Sequence, residues 1–374
     1  MTLPRAVYLH VPFCLHHCGY CDFTLVAGRD TLIPDYLQAL DHELNARAVP
    51  SEVDTIFIGG GTPTYLSPRD LSSLLERFLS VYRLAPGGEF SVEANPDGLC
   101  QERLGVLKDF GVNRLSLGVQ SFDDGCLKVL ERSHSADEAV RVVERCRGIF
   151  ENLSVDLIFG VPGQDSATWQ RSLDIAAQLP LSHVSTYGLT FEPATPFFRR
   201  EQKGQLSRTP DDAERTMYLM AIGTLNDAGF EHYEVSNFAR PGFACRHNRT
   251  YWKADEYEAF GPGAARYVGG VRSTNCRSVV RWIRSWLEHA ECLHETESLS
   301  SEDRAREAIM LGLRMIPGID LREFQRRYGI SINSLAEDAI ARHSRNGLLE
   351  YNDQTLKLTQ DGLLLADTVI SDFL

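Results

Sequence analysis

Three cysteines within eight residues, Cys14, Cys18 and Cys21, set the first chemical question. The 374 residues carry nine cysteines, an odd number and a low density for a disulfide scaffold. Cys100, Cys126, Cys146, Cys245, Cys276 and Cys292 are scattered. In a reducing compartment such thiols are buried side chains, nucleophiles or metal ligands. Structural zinc takes four ligands, usually as two paired knuckles. His16 and His17 inside the triplet, or distant Cys245, keep zinc open by counting alone. Three thiolates on one short loop suit a [4Fe–4S] cubane better, with one iron left free of protein ligands.

Two further stretches carry chemistry-bearing side chains. Gly59-Gly60-Gly61-Thr62-Pro63 follows an apolar strand directly. Glycines there admit close approach of backbone groups, and the same run also reads as a tight turn. His247-Asn248-Arg249-Thr250-Tyr251-Trp252, preceded by Cys245, reads on its residues alone as a hydrogen-bonded loop histidine beside a packed Tyr-Trp pair.

These residues need a scaffold. Strand patterns fall at 6–11, 54–58, 89–93, 114–119, 155–159 and 184–189. Helical patterns separate them, near 34–47, 68–82, 101–110 and 166–179, with Ala139, Val142, Val143 and Cys146 striping another. Six βα repeats with apolar strands predict an α/β fold, a parallel sheet covered by helices. Polar and glycine-rich residues recur at the strands' C-terminal ends, where ligands sit in barrels and open sheets alike. A helix is predicted over 210–228, a loop-rich stretch over 236–275, and three short helices near 301–312, 320–328 and 334–345. A hairpin around Asn352-Asp353 and a last helix then complete a winged-helix-like module. Domain limits are expected at 1–200, 201–298 and 299–374.

The formal charge of −13 opposes a chain devoted to nucleic acid or an anionic membrane. The C-terminal module, with nine basic against twelve acidic residues over 301–374, reads as a lid or partner surface before a DNA binder. No apolar run approaches the roughly 18 residues of a membrane span, and no signal peptide is recognisable, so a cytoplasmic protein is expected.

Cys14-x₃-Cys18-x₂-Cys21, with aromatic Tyr20 before the last cysteine, resembles the signature of the radical S-adenosylmethionine (SAM) superfamily. Tyr8-x-His10-x-Pro12-Phe13-Cys14, Gly59–Thr64, Gly118-Val119-Gln120-Ser121-Phe122 and Asp156-Leu157-Ile158-x-Gly160-x-Pro162-Gly163 narrow this to the coproporphyrinogen III oxidase group, over nearly the whole chain. The resemblance implies a partial (β/α)6 TIM-like radical SAM barrel and a [4Fe–4S] cluster held by the three cysteines. It implies SAM on the open iron, reductively cleaved to a 5′-deoxyadenosyl radical. It assigns Tyr8, Tyr20, Gly60, Gly61, Thr62, Glu93, Gln120, Arg132 and Asp156 to the SAM region. On residue type alone, Glu93 also reads as a surface acid and Arg132 as a solvated helix residue.

Two departures point to the HemW-type heme chaperones within that group. The oxidases carry a fourth cysteine two residues after the third, where this chain has Phe23, and an N-terminal extension for which the residues before Cys14 leave no room. The chaperones share His-Asn-x-x-Tyr-Trp. The resemblance therefore makes His247 and Cys245 candidate heme-iron ligands, with Asn248, Tyr251 and Trp252 around the porphyrin. A histidine common in relatives after Gly263-Ala264 is absent, and Arg266 there suits a propionate or the SAM carboxylate. The expected activity is heme transfer to an acceptor protein, one associated with a membrane in this reading, by a chain with no span of its own, with a homodimer compatible. The competing readings are an oxygen-independent oxidase, removing two propionate carboxylates, and another radical SAM enzyme such as a methyltransferase, for which no extra cofactor domain is visible.

Overall fold

The computed structural model describes residues 3–374. Six strands, β1 (Ala6–Val11), β2 (Ser51–Gly60), β3 (Tyr82–Ala94), β4 (Arg114–Gln120), β5 (Asn152–Phe159) and β6 (His183–Gly188), lie side by side in that order, all parallel. Their faces are almost wholly buried, as in β1 and β4, which is why they read as continuous apolar runs and not as alternating ones. Helices Ile33–Arg47, Pro68–Leu79, Gln101–Asp109, Ala136–Cys146 and Ser166–Gln178 connect them. Ser67, Ser135 and Asp165 cap three of these by accepting from backbone N–H groups of the first turn. Val142, Val143, Leu173 and Trp169 are then buried against the sheet in one core.

The sheet is extended at both edges. Glu258–Phe260 pairs parallel to β1, while Asn237–Ala239 and Glu231–Glu234 add antiparallel to β6. The expectation of loops over 236–275 is corrected here. That stretch holds the edge strands Asn237–Ala239 and Glu258–Phe260, the helix Arg246–Trp252, and the strands Ala265–Val268 and Val271–Asn275 of a separate three-stranded sheet completed by Leu293–Ser298. Each element has only three to seven residues, too few for a hydrophobic period to show.

Helices Ser301–Gly312, Leu321–Tyr328 and Ile332–Arg345 precede a hairpin, Leu349–Tyr351 with Thr355–Leu358. Ile319–Asp320 pairs with the hairpin's second strand, giving the winged-helix-like arrangement. This part has its own core, including Ile309, Phe324, Ile340, Leu356 and Phe373. Among the described residues no helix is long and apolar enough to cross a membrane.

Candidate functional site

The strands' C-terminal ends deliver one group of side chains to a common cavity of about 330 Å³. Cys14, Cys18, Tyr20 and Cys21 come from the loop after β1; Gly60, Gly61 and Thr62 from the end of β2; Glu93 and Asn95 from β3; Gln120 from β4; Asp156 from β5; and Arg132 from the segment after β4. The sequence assigned all of these except Asn95.

Cys14 Sγ lies 3.4 Å from Thr62 Oγ1. Asn95 Nδ2 donates to the same oxygen at 2.8 Å. Arg132 Nη2 donates to Asn95 Oδ1 at 2.6 Å and to the Gly118 carbonyl at 3.0 Å, while its Nη1 points at Cys18 Sγ, 3.5 Å away. Two of the three thiols are thus joined through strand-end side chains. Arg132 is buried in this network with its Nε unpartnered among the described residues, so the solvated-helix reading does not describe it. Burial opposes its charge, and Tyr20, Cys18 and the Asp97 carboxylate nearby outweigh that cost and raise its pKa.

Each glycine of the triplet has a steric reason. A Cβ on Gly59 would meet Glu93 Oε2 at 2.6 Å, on Gly60 the His10 ring at 2.4 Å, and on Gly61 the Phe13 carbonyl at 2.7 Å. Gly60 also needs its φ of +109°. The close approach expected from a ligand is therefore also made by the chain's own residues. Gln120, at the end of β4, holds a φ of +68°, strained for a side chain of its type. Such strain concentrates where surrounding structure enforces a functional geometry.

Glu93 accepts from the Gly60 N–H at 3.0 Å. Burial, reinforced by the neighbouring Asp156 carboxylate, raises its pKa to about 7. Asp156 is itself shifted up by burial, partly offset by its hydroxyl donors Ser185 and Ser116. The sign of the stability effect follows. The folded chain binds the Glu93 proton more tightly than the unfolded chain, so this contribution is fully present below about 4.5 and is lost as pH rises through about 7. Glu93→Gln should flatten that slope by about 3 kcal/mol between pH 4.5 and 8. Thermal unfolding of both proteins across that range checks it; parallel profiles would contradict the assignment.

Tyr8 stands apart from the other SAM candidates. Its hydroxyl bonds to His10 Nδ1 at 3.0 Å, and its ring borders a second cavity of about 790 Å³. The two cavities share Phe23, Gly60 and Glu93. Phe23 is 65% exposed and borders both.

The hexapeptide divides between two environments. Tyr251 and Trp252 line the second cavity, whereas His247 and Cys245 do not. His247 is fully buried; its Nδ1 is 2.8 Å from Thr55 Oγ1 and its Nε2 2.8 Å from Tyr251 Oη. Burial, with Arg114 nearby, lowers its pKa to about 3 and keeps the ring neutral. Cys245 Sγ donates to Glu89 Oε1 at 3.5 Å, and burial pushes its thiol up to about 12. Both imidazole nitrogens of His247 are thus within hydrogen-bond distance of hydroxyls, and Cys245 likewise faces the interior. Asn248, on the same helix, is half-buried and lines neither cavity. Arg266 is turned to Glu258 at 3.9 Å and also lines neither cavity; Arg272 and Arg277 border the larger one in its place.

Comparison with known proteins decides the family. The heme chaperone HemW of Bacillus subtilis is 38% identical over 99% of this chain and 99% of its own length. This chain belongs to the HemW family. HemW of Lactococcus lactis is 36% identical over 99% of this chain and 97% of the relative. The Radical SAM superfamily model matches residues 8–176 and the HemN C-terminal domain model residues 299–365. The solved structure of coproporphyrinogen III oxidase (HemN) from Escherichia coli covers 99% of this chain and 90% of its own at a TM-score of 0.87, with 22% identity, and so shares the fold. The partial-barrel expectation is borne out.

The groups this family implies fit the smaller cavity. Three thiols set around a shared space, beside a buried arginine with one unpartnered nitrogen, suit a polynuclear anionic cluster. When bound, such a cluster supplies an electron to SAM. The chain's part is to orient: Thr62, Asn95 and Arg132 hold the cysteine loop, and Glu93 presents a carboxyl oxygen at the cavity wall. Asn95 was missed because an asparagine before proline at a strand end reads as turn chemistry.

Proposed function

We propose that this chain is a heme chaperone, holding heme beside a SAM-bearing [4Fe–4S] cluster and passing it to an acceptor protein in the cytoplasm or at a membrane face. The carrying observation is the second, aromatic-lined cavity, which adjoins the thiol-lined one through Phe23, Gly60 and Glu93. Its volume lies within the range of small-molecule sites, and the aromatic side chains Tyr8, Tyr251, Trp252, Tyr257 and Tyr267 line it, as suits a large, flat, largely apolar ligand. The HemW relatives are named as heme chaperones across their full length, which supports the same reading.

In this reading Cys14, Cys18 and Cys21 ligate the cluster. Tyr20, Gly60, Gly61, Thr62, Glu93, Gln120, Arg132 and Asp156 surround SAM, with Tyr8 at the boundary toward heme. Phe23 stands where the oxidases carry their fourth cysteine, and the chain is proposed not to decarboxylate coproporphyrinogen. Anaerobically reconstituted protein should bind hemin at one per chain and form no protoporphyrinogen from coproporphyrinogen with SAM and reductant. Turnover in that assay would replace the chaperone reading with the oxidase one.

A further inference from the structure

The proposed chaperone activity leaves the iron's ligand unassigned, and the hexapeptide's histidine and cysteine both face the interior. Two histidines border the larger cavity, His10 and His294. His10 has no free nitrogen: Nδ1 meets Tyr8 Oη at 3.0 Å and Nε2 meets the Thr24 carbonyl at 2.6 Å. His294 is different. It lies on the strand Leu293–Ser298, is exposed, and makes no side-chain hydrogen bond among the described residues.

Its placement has a local cause. The pairing of Leu293–Ser298 with Val271–Asn275 shifts register between Thr274 and Asn275. A bulge re-aims side chains that would otherwise alternate across the sheet. Adjacent His294 and Glu295 consequently both border the cavity. A cation stands on the same wall. Arg277 Nη2 donates to the Asp22 carbonyl at 2.7 Å and to Asp22 Oδ2 at 3.2 Å, and Nε reaches Thr24. Its Nη1 has no hydrogen-bond partner among the described residues, and the side chain is half exposed. Arg272, by contrast, is taken up by Glu307 and Glu297.

We propose that the larger cavity holds an iron tetrapyrrole whose iron is ligated by His294 and one of whose carboxylates pairs with Arg277. The assignment rests on the heme-chaperone reading and deepens it. A neutral imidazole nitrogen donates its lone pair to the iron in place of a water molecule, and no electron or proton changes hands. Because Asp22 follows Cys21 directly, a carboxylate on Arg277 would also attach the ligand's edge to the cysteine loop.

The test is hemin titration of the anaerobically reconstituted full-length protein, followed by its absorption spectrum. His294→Ala, a change on an exposed strand, should shift the Soret band, weaken hemin binding by about tenfold or more, and recover the wild-type band position on adding free imidazole. Arg277→Ala should weaken binding by about tenfold with the band unmoved. A His294→Ala protein with unchanged band and affinity overturns the ligand assignment, and unchanged affinity in Arg277→Ala overturns the carboxylate contact. Wild-type protein that takes up no hemin at all would instead refute the chaperone reading itself.

Discussion

Serine at Cys14, Cys18 or Cys21 is expected to abolish the broad visible absorption of the reconstituted protein, each alone. A hydroxyl of serine is a far poorer iron ligand than a thiolate, and a cluster that already leaves one iron to an exchangeable ligand has no spare protein donor. His16 and His17 are near in sequence, but His17 is committed to the Cys21 carbonyl at 3.1 Å and His16 faces Glu131 at 3.6 Å. Iron and sulfide content measured with the spectrum gives the magnitude: near-complete loss in all three. A variant retaining the wild-type spectrum would remove that cysteine from the set. Cys245→Ser provides the contrast, since that thiol faces Glu89 and should leave the cluster spectrum unchanged.

The second large effect lies at the opposite ends of the strands. Glu89 is buried and accepts from the backbone N–H groups of Arg246 at 2.9 Å and His247 at 3.1 Å, as well as from the Cys245 thiol. It thereby satisfies the first turn of the helix Arg246–Trp252, which has no side-chain cap of its own. It is also an anionic neighbour of Arg114, a fully buried guanidinium with its Nε unpartnered among the described residues. Glu89→Leu removes the acceptor of three donors and one of the carboxylates near the buried Arg114, leaving Asp156 as the other, which costs about 3–5 kcal/mol. Urea unfolding should show a midpoint far below wild type. Glu89→Gln, which keeps an acceptor oxygen, should lose less; equal losses in the two variants would show that packing, not charge, sets the stability here.

The six barrel strands were legible because parallel strands buried on both faces leave continuous apolar runs, as in Asp54–Ile58 and Val155–Phe159. Their consecutive order followed from the βα alternation. What escaped was the chain after residue 236, where strands of three to five residues complete the sheet's edges. Such short strands exist only because a neighbouring strand offers unpaired backbone groups, and no residue pattern within them reports that. The cysteines and the β2 glycine run were visible as motifs, and in the structure they line one cavity. The hexapeptide was ambiguous for a physical reason. A histidine between aromatics looks the same whether its nitrogens meet iron or Thr55 and Tyr251. Only the fold shows that both are spent. His294 carried no signal at all, since its exposure to the cavity arises from a register shift.

The chain of contacts from Cys14 through Thr62, Asn95 and Arg132 to Cys18 bears on the order of events in assembly. In small metal-dependent domains the ligands are gathered by the metal, so folding waits for it. Here two thiols are placed by the ends of β2 and β3 and by an arginine tied to β4, all of which belong to a large core that forms through its own burial. The polypeptide can therefore complete its fold first and receive iron and sulfide afterwards. Loss of the cluster to oxygen would then leave a vacant but intact vessel, ready to be refilled without refolding.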